Sequence, residues 1–414
     1  KMSTTLIKNI GLLQTPIGSR PHGGKEQGEN LKIENAAVFA RDGIIEEITE
    51  KGRLPGAFEK EDADEIIDAE GNLVTPGLVE GHTHLVFGGY RQHEIPLKLK
   101  GAGYLDILKA GGGILDTVRK TREAGFDELY EKSRGFLDEM MGMGVTSCEA
   151  KSGYGLDLET EVKMLEVIKK LNEDHRMDMA ATFMGAHAVP PEYKGNPDQY
   201  IEMICEKVLP VIKEKNLAEF VDVFCEEGVF DEEQSRRYLS KAKELGFSLK
   251  IHADEIEERG GSRLAGEIGA VSAEHLIAIG PKGLRAMAKA GVTAMCLPST
   301  SFYLGKDFAP VRKMIEMGIP VATASDFNPG SCPSLNLQFV INLGYLKYKM
   351  MPEEILTAVT INPACAIGKG DLCGTLEKGK KADMVIWNAK DMEMLCYRFG
   401  SNLALATIKE GVLI

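Results

Sequence analysis

Apolar positions along the chain fall into short runs of two kinds. Near the start, 5–10, 36–40 and 43–48 have the texture of strands, with a polar, glycine-rich loop over 18–30 among them. Near the end, 382–387 is one apolar run and 403–414 gives further short pieces. Between these ends, strand-like runs alternate with amphipathic stretches. Eight runs centre on 78–85, 145–150, 179–186, 221–226, 249–253, 270–275, 292–297 and 321–325. The stretch 159–171 repeats Val162, Leu165, Ile168 and Leu171 at helical spacing, and 234–245 and 281–290 follow suit. Alternation repeated eight times predicts an α/β fold of the (β/α)₈ barrel type. No Gly-x-Gly-x-x-Gly follows the first strand, which weighs against a doubly wound sheet. The two strand-rich ends predict one small β domain built from 1–74 and 375–414, around a barrel over 75–374. The segment 88–128 is too long for a simple βα loop and is expected to cross the barrel mouth.

Composition narrows the function. The chain has 414 residues and a formal net charge of −13, with 43% hydrophobic and 27% charged residues. That usage is globular and excludes global disorder. No apolar run reaches the roughly 18 residues of a spanning helix, and no apolar signal core opens the chain. An acidic chain without a dense basic patch disfavours a nucleic-acid partner, so a small-molecule substrate is expected. The eight cysteines are dispersed, with no Cys-x-x-Cys pair. Reduced thiols in the cytoplasm are expected, and a structural zinc knuckle is not.

Histidine placement carries the chemistry. His82-Thr83-His84 ends the first strand, and side chains two apart on a strand share a face, so both imidazoles can reach one ion. His187, His252 and His275 also fall at or near strand ends, the end that holds the site in barrel enzymes. His22 and His175 lie outside the strands and are expected to be solvated; His93 stays open between the two readings. Asp326 ends the eighth strand as an acid after an apolar run, so it either caps a helix or binds metal. Set beside the histidines, a ligand that doubles as general base is favoured. The following Asn328-Pro329-Gly330-Ser331 is expected to supply donors for a substrate carboxylate. Glu255, three residues past His252, is either a proton shuttle or a surface acid. Lys151 ends the second strand and could bridge two metals if carbamylated, but the fourth strand ends in Glu226-Glu227 without a lysine, so one metal is expected. Gly111-Gly112-Gly113 lacks the Gly-Lys-Ser/Thr of a nucleotide loop and is expected to be a flexible turn before a helix.

These motifs resemble the amidohydrolase superfamily: Pro76-Gly77-Leu78-Val79 before His82 and His84, then His252, His275 and Asp326 in that order, and the tail from Gly374 to Val385. The closer resemblance, over nearly the whole chain, is to the branch that opens an imidazolone ring in histidine breakdown. It rests on His82 to Gly89 with Arg91, Gly111 to Ile114 with Thr117-Val118-Arg119, Lys151 to Leu156, Gly185 to Tyr193, and Ala324 to Ser331. One departure is Glu80, where the superfamily commonly has Asp; it is expected to leave the ligands untouched. The resemblance implies hydrolysis of 4-imidazolone-5-propanoate to N-formimidoyl-L-glutamate with one zinc or iron ion. It implies metal ligands His82, His84, His252 and Asp326, and substrate positions Arg91, Tyr154, His187, Glu255, Asn328, Gly330 and Ser331. It implies a catalytic His275, a composite β-sandwich and a homodimer. With that mechanism, Asp326 takes a proton from water, His275 holds the oxyanion, Glu255 orients or protonates the ring nitrogen, and Arg91 pairs the propanoate. Two rivals are a deaminase of guanine or cytosine type on the same scaffold and a catalytically inactive scaffold protein.

Overall fold

The computed structural model describes residues 3–56, 63–101, 107 and 111–414. Its centre is an eight-stranded parallel sheet of β6 (Leu78–Glu80), β7 (Val145–Lys151), β8 (Asp178–Ala186), β9 (Phe220–Cys225), β10 (Ser248–Ala253), β11 (Ser272–His275), β12 (Thr293–Cys296) and β13 (Val321–Thr323). Each strand pairs with the next in sequence. The ends meet just beyond β6 and β13, where Thr83 bridges Phe327 in parallel. There His84 N donates to Phe327 O at 2.8 Å and Asp326 N to His82 O at 3.2 Å. The sheet therefore closes as a barrel, and His82, His84 and Asp326 flank its seam. All eight predicted strands are present. The first is shorter than predicted because the chain past Glu80 leaves the regular ladder to make that seam.

The helices between strands bury one apolar stripe each. Leu158–Asp174 turns Met164, Leu165, Ile168 and Leu171 inward, and Asp157 caps its start by accepting Thr160 N–H. Glu232–Glu244 starts at a capping box between Asp231 and Gln234. After the first strand the path is longer, with a 3₁₀ turn at Gln92–Glu94 and helices Ile95–Leu99, Ile114–Glu123 and Phe126–Met141. Of the predicted excursion, 102–106 and 108–110 lie outside the described residues; Arg91, Ile114 and Leu115 stand at the barrel mouth.

The chain ends form a second sheet, from β1 (Thr4–Thr15), β2 (Leu31–Arg41), β3 (Ile44–Thr49), β4 (Glu65–Asp68), β5 (Leu73–Pro76), β14 (Met384–Trp387), β15 (Ala404–Lys409) and β16 (Val412–Leu413). β1 is the pivot. Its first half pairs β4 and its second half pairs β5, with a register break between Ile7 and Ile10. Asn9, at φ 54°, makes the break, and the sheet folds there over a core that includes Ile7, Ile10, Leu13, Val38, Met384 and Ile408.

Two histidines depart from expectation. His22 is buried, not solvated, because the loop over 18–30 packs on the barrel. Asn362 accepts His22 N–H at 2.7 Å and donates to His22 O at 2.9 Å. Gln27 in the same loop bonds both backbone groups of Val321, at 2.8 and 2.9 Å. His175 is half-buried and pairs Asp138 at 3.1 Å.

Candidate active site

The carboxyl ends of the strands bring the predicted residues together. His82, His84 and His252 offer one ring nitrogen each, all within 4.8 Å of one another, and a ring nitrogen each from His82 and His275 lies equally close to a carboxylate oxygen of Asp326. Asp326 Oδ1 lies 3.3 Å from His82 Nε2 and 3.6 Å from His84 Nε2. Its other oxygen accepts the Thr300 hydroxyl at 2.6 Å. Asp326 and His275 hold left-handed backbone, at φ 59° and 70°. Such conformations cost about 1–3 kcal/mol each and persist where the surroundings fix them.

What lies behind the rings sets their chemistry. Asp222 places a carboxylate oxygen 3.0 Å from His252 Nδ1, and Glu274 places one 2.7 Å from His82 Nδ1. A carboxylate on Nδ1 holds the proton there and leaves Nε2 as a lone-pair donor. Among the described residues, His82 Nε2 and His252 Nε2 are buried and have no hydrogen-bond partner. Burial pushes His252 down to about 3 and His187 to about 4, and lowers His82, His84 and His275, so all five rings are neutral at pH 7. Three neutral imidazoles and one carboxylate around unpartnered nitrogens fit a divalent cation.

A charged layer runs beneath these donors. Lys151 Nζ sits 2.7 Å from Glu149 and 2.8 Å from Asp222, and Lys250 Nζ is 3.2 Å from Glu149, all fully buried. Burial would lower the Lys151 pKa, but Asp222 and Glu149 outweigh it and hold the ammonium charged. An ammonium so held is not free to be carbamylated. Glu80 also belongs here. Its buried carboxyl accepts Ser325 N–H at 3.0 Å and lies 3.4 Å from His82 N, and burial pushes it up to about 8. The departure expected to leave the ligands untouched thus links the backbones beside His82 and Asp326.

Above the donors opens a cavity of about 630 Å³. His84, Arg91, Tyr154, His187, His252, Glu255, His275, Asp326, Asn328, Gly330 and Ser331 all line it, and His82 is buried beside Asp326. His187 stacks on His84 at 4.9 Å between ring centres and bonds Gly153 O at 3.0 Å. Gly153 is required there, since a Cβ would lie 2.9 Å from His187 Nδ1. Glu255 stands 3.5 Å from His275 Nε2, and burial with Glu226 nearby raises it to about 7. The Asn328–Ser331 loop is braced internally: Gly330 N and Ser331 N both donate to Asn328 Oδ1 at 2.8 Å, and Asn328 Nδ2 donates to Asp326 O at 2.7 Å. The bracing holds Asn328, Gly330 and Ser331 against the cavity that they line.

The residues missed by sequence reasoning are Asp222, Glu274, Glu149, Lys250 and Thr300. A signal existed for the first four: each is a charge inside an apolar strand, and Lys250 with His252, or Glu149 with Lys151, share a face two apart. Thr300, in the short helix Pro298–Leu304, had none.

Residues 73–412 match the model of the amidohydrolase family. The chain belongs to the amidohydrolase family. Among its relatives, proteins named imidazolonepropionase are similar over their full length. That of Alkaliphilus metalliredigens is 48% identical, covering 100% of this chain and 98% of the relative. That of Bacillus cytotoxicus is 49% identical over 99% and 96%, and that of Streptococcus sanguinis 50% over 94% and 93%. Among solved structures, Escherichia coli guanine deaminase superposes with a TM-score of 0.74 at 16% identity, covering 100% and 99% of the two chains. 5-Methylcytosine deaminase from Klebsiella pneumoniae gives 0.74 at 18%, covering 99% and 97%. Likeness at that identity shows the shared barrel architecture.

Proposed function

We propose that the protein hydrolyses 4-imidazolone-5-propanoate to N-formimidoyl-L-glutamate, the activity of imidazolonepropionases. The observation that carries this reading is near-half identity along the whole chain with proteins of that name. The site's chemistry supports it. Water adds to the ring carbonyl, the ring C–N bond opens, and the nitrogen leaves with a proton. His82, His84, His252 and Asp326 would hold one zinc or iron ion. Such an ion supplies Lewis acidity to a hydrolytic site.

The chain's own groups do the rest. Asp326 takes the proton of the attacking water. His275 donates to the developing oxyanion, a contribution of about 3–4 kcal/mol in comparable sites. Glu255, beside His275, relays a proton to the leaving nitrogen. Arg91 at the rim pairs the propanoate, with Tyr154 and His187 closing the same wall. The deaminase alternative has only the fold in its favour, since a nucleobase offers no carboxylate to Arg91.

The molecule is further proposed to be a cytoplasmic homodimer. All eight cysteines are free thiols, in keeping with a reducing compartment. Phe302, Tyr303, Tyr397 and Phe399 are exposed, and the helices Pro298–Leu304 and Leu337–Leu346 carry no charged residue. An uncharged apolar face on an acidic chain suits a second copy. Incubation with imidazolonepropanoate, followed by its ultraviolet absorbance, tests the activity. Loss of absorbance with formimidoylglutamate as product is expected; ammonia release from guanine without it would favour the deaminase.

A further inference from the structure

We propose that Glu94 and the Gly111-Gly112-Gly113 turn form a clasp that sets the Arg91 guanidinium in place for the substrate carboxylate. Glu94 is then a positioning residue for substrate affinity. The inference rests on the reading of Arg91 given above.

Glu94 is a carboxylate with 1% exposure one turn beyond Arg91. Such a group needs partners. Its Oε1 lies 3.2 Å from Arg91 Nε and accepts Gly113 N–H at 2.6 Å, while Oε2 lies 3.3 Å from Lys98 Nζ. Burial would raise its pKa, but Gly113, Arg91 and Lys98 outweigh burial and hold it below the ordinary value. The glycines make room for it. A Cβ at Gly112 would stand 2.9 Å from Glu94 Oε1 and 2.8 Å from Ile107 Cγ2. Gly111 and Gly113 have φ 81° and 80°. The turn predicted to be merely flexible is shaped around one acid.

The clasp joins two sides of the cavity mouth. Gly113 begins the helix Ile114–Glu123, whose first residues Ile114 and Leu115 line the cavity, as does Arg91. On its other side Arg91 lies over Gly330, where a Cβ would be 2.4 Å from Nη2. Arg91 makes no further ion pair among the described residues. A guanidinium set by an ion pair on one side and by Gly330 on the other keeps its terminal nitrogens for a ligand. Pre-ordering it removes the side-chain entropy that binding would otherwise cost.

The test compares Glu94→Gln, Gly112→Ala, Arg91→Ala and the Arg91→Ala/Glu94→Gln double variant. Each is measured for kcat and KM, for thermal unfolding and bound metal, and for calorimetric Kd of imidazole-4-propanoate, a probe that carries the propanoate but no ring carbonyl to hydrolyse. Gln keeps the Gly113 contact and removes the charge. Glu94→Gln is expected to raise KM and Kd about tenfold with kcat within about threefold, and to add nothing in the Arg91→Ala background. Gly112→Ala should shift KM and Kd likewise. If Arg91→Ala raises KM and Kd but Glu94→Gln does not, the clasp is wrong and the carboxylate reading stands. Additive effects in the double variant, or lowered kcat and melting temperature at unchanged KM, make Glu94 structural only. An unchanged Kd in Arg91→Ala overturns both.

Discussion

Asp222 and Glu274 do not line the site cavity, yet they decide which nitrogen of His252 and His82 faces it. Outer partners of this kind are worth about 10–100-fold in metal affinity. Asp222→Asn is therefore expected to weaken metal binding by that factor in chelator competition, with the fold kept; an unchanged affinity would remove Asp222 from the account. Glu255 gives a pH prediction. Its pKa is raised to about 7, so the carboxylate that relays a proton forms above that pH. Activity should fall as pH drops through 7, and Glu255→Gln should abolish that limb while cutting kcat by about 10²–10⁴. A limb that survives in Glu255→Gln belongs to another group. At this scale the donors were legible because a histidine or aspartate ending an apolar strand is costly to bury unless it binds something. Their partners Asp222 and Glu274 left only the weaker signal of a charge inside an apolar strand, which does not say which face the charge takes.

The strands are the elements that aim the site. Parallel pairing in sequence order puts every carboxyl end at one mouth, which is why residues as distant as His82 and Asp326 become neighbours. Periodicity revealed all eight strands, because buried parallel strands are nearly continuous apolar runs. It could not reveal the seam, which rests on backbone pairing of Thr83 with Phe327. Nor could it reveal that the loop over 18–30 seals the barrel: polarity made His22 look solvated, while Gln27 supplies the missing hydrogen bonds of Val321. Gln27→Ala should leave the buried Val321 N–H unsatisfied, while Asn362 still donates to Val321 O at 2.8 Å, and cost about 1–3 kcal/mol in denaturant unfolding. A shift below a few tenths would mean that the loop is not a structural cover.

On the scale of the molecule, two sheets are tied by a buried ionic knot. Lys409 of β15 has 1% exposure and lies 2.6 Å from both Asp178, at the start of β8, and Asp383, just before β14. Removing the cation leaves the buried Asp383 without its ion-pair partner, while Asp178 keeps Lys381 at 2.8 Å, so Lys409→Ala is expected to cost about 3–5 kcal/mol in global unfolding. A loss under about 1 kcal/mol would show that the junction does not depend on it. Such a knot joins residues far apart in sequence and left no local pattern. The whole arrangement serves one claim, that a cation held by His82, His84, His252 and Asp326 drives opening of the imidazolone ring. The most direct measurement is the decay of imidazolonepropanoate absorbance with the protein as isolated, after chelation, and after return of one equivalent of zinc or iron. Turnover should be lost on chelation and restored by the single equivalent. Undiminished turnover by fully metal-free protein, or none with the metal bound, would contradict it.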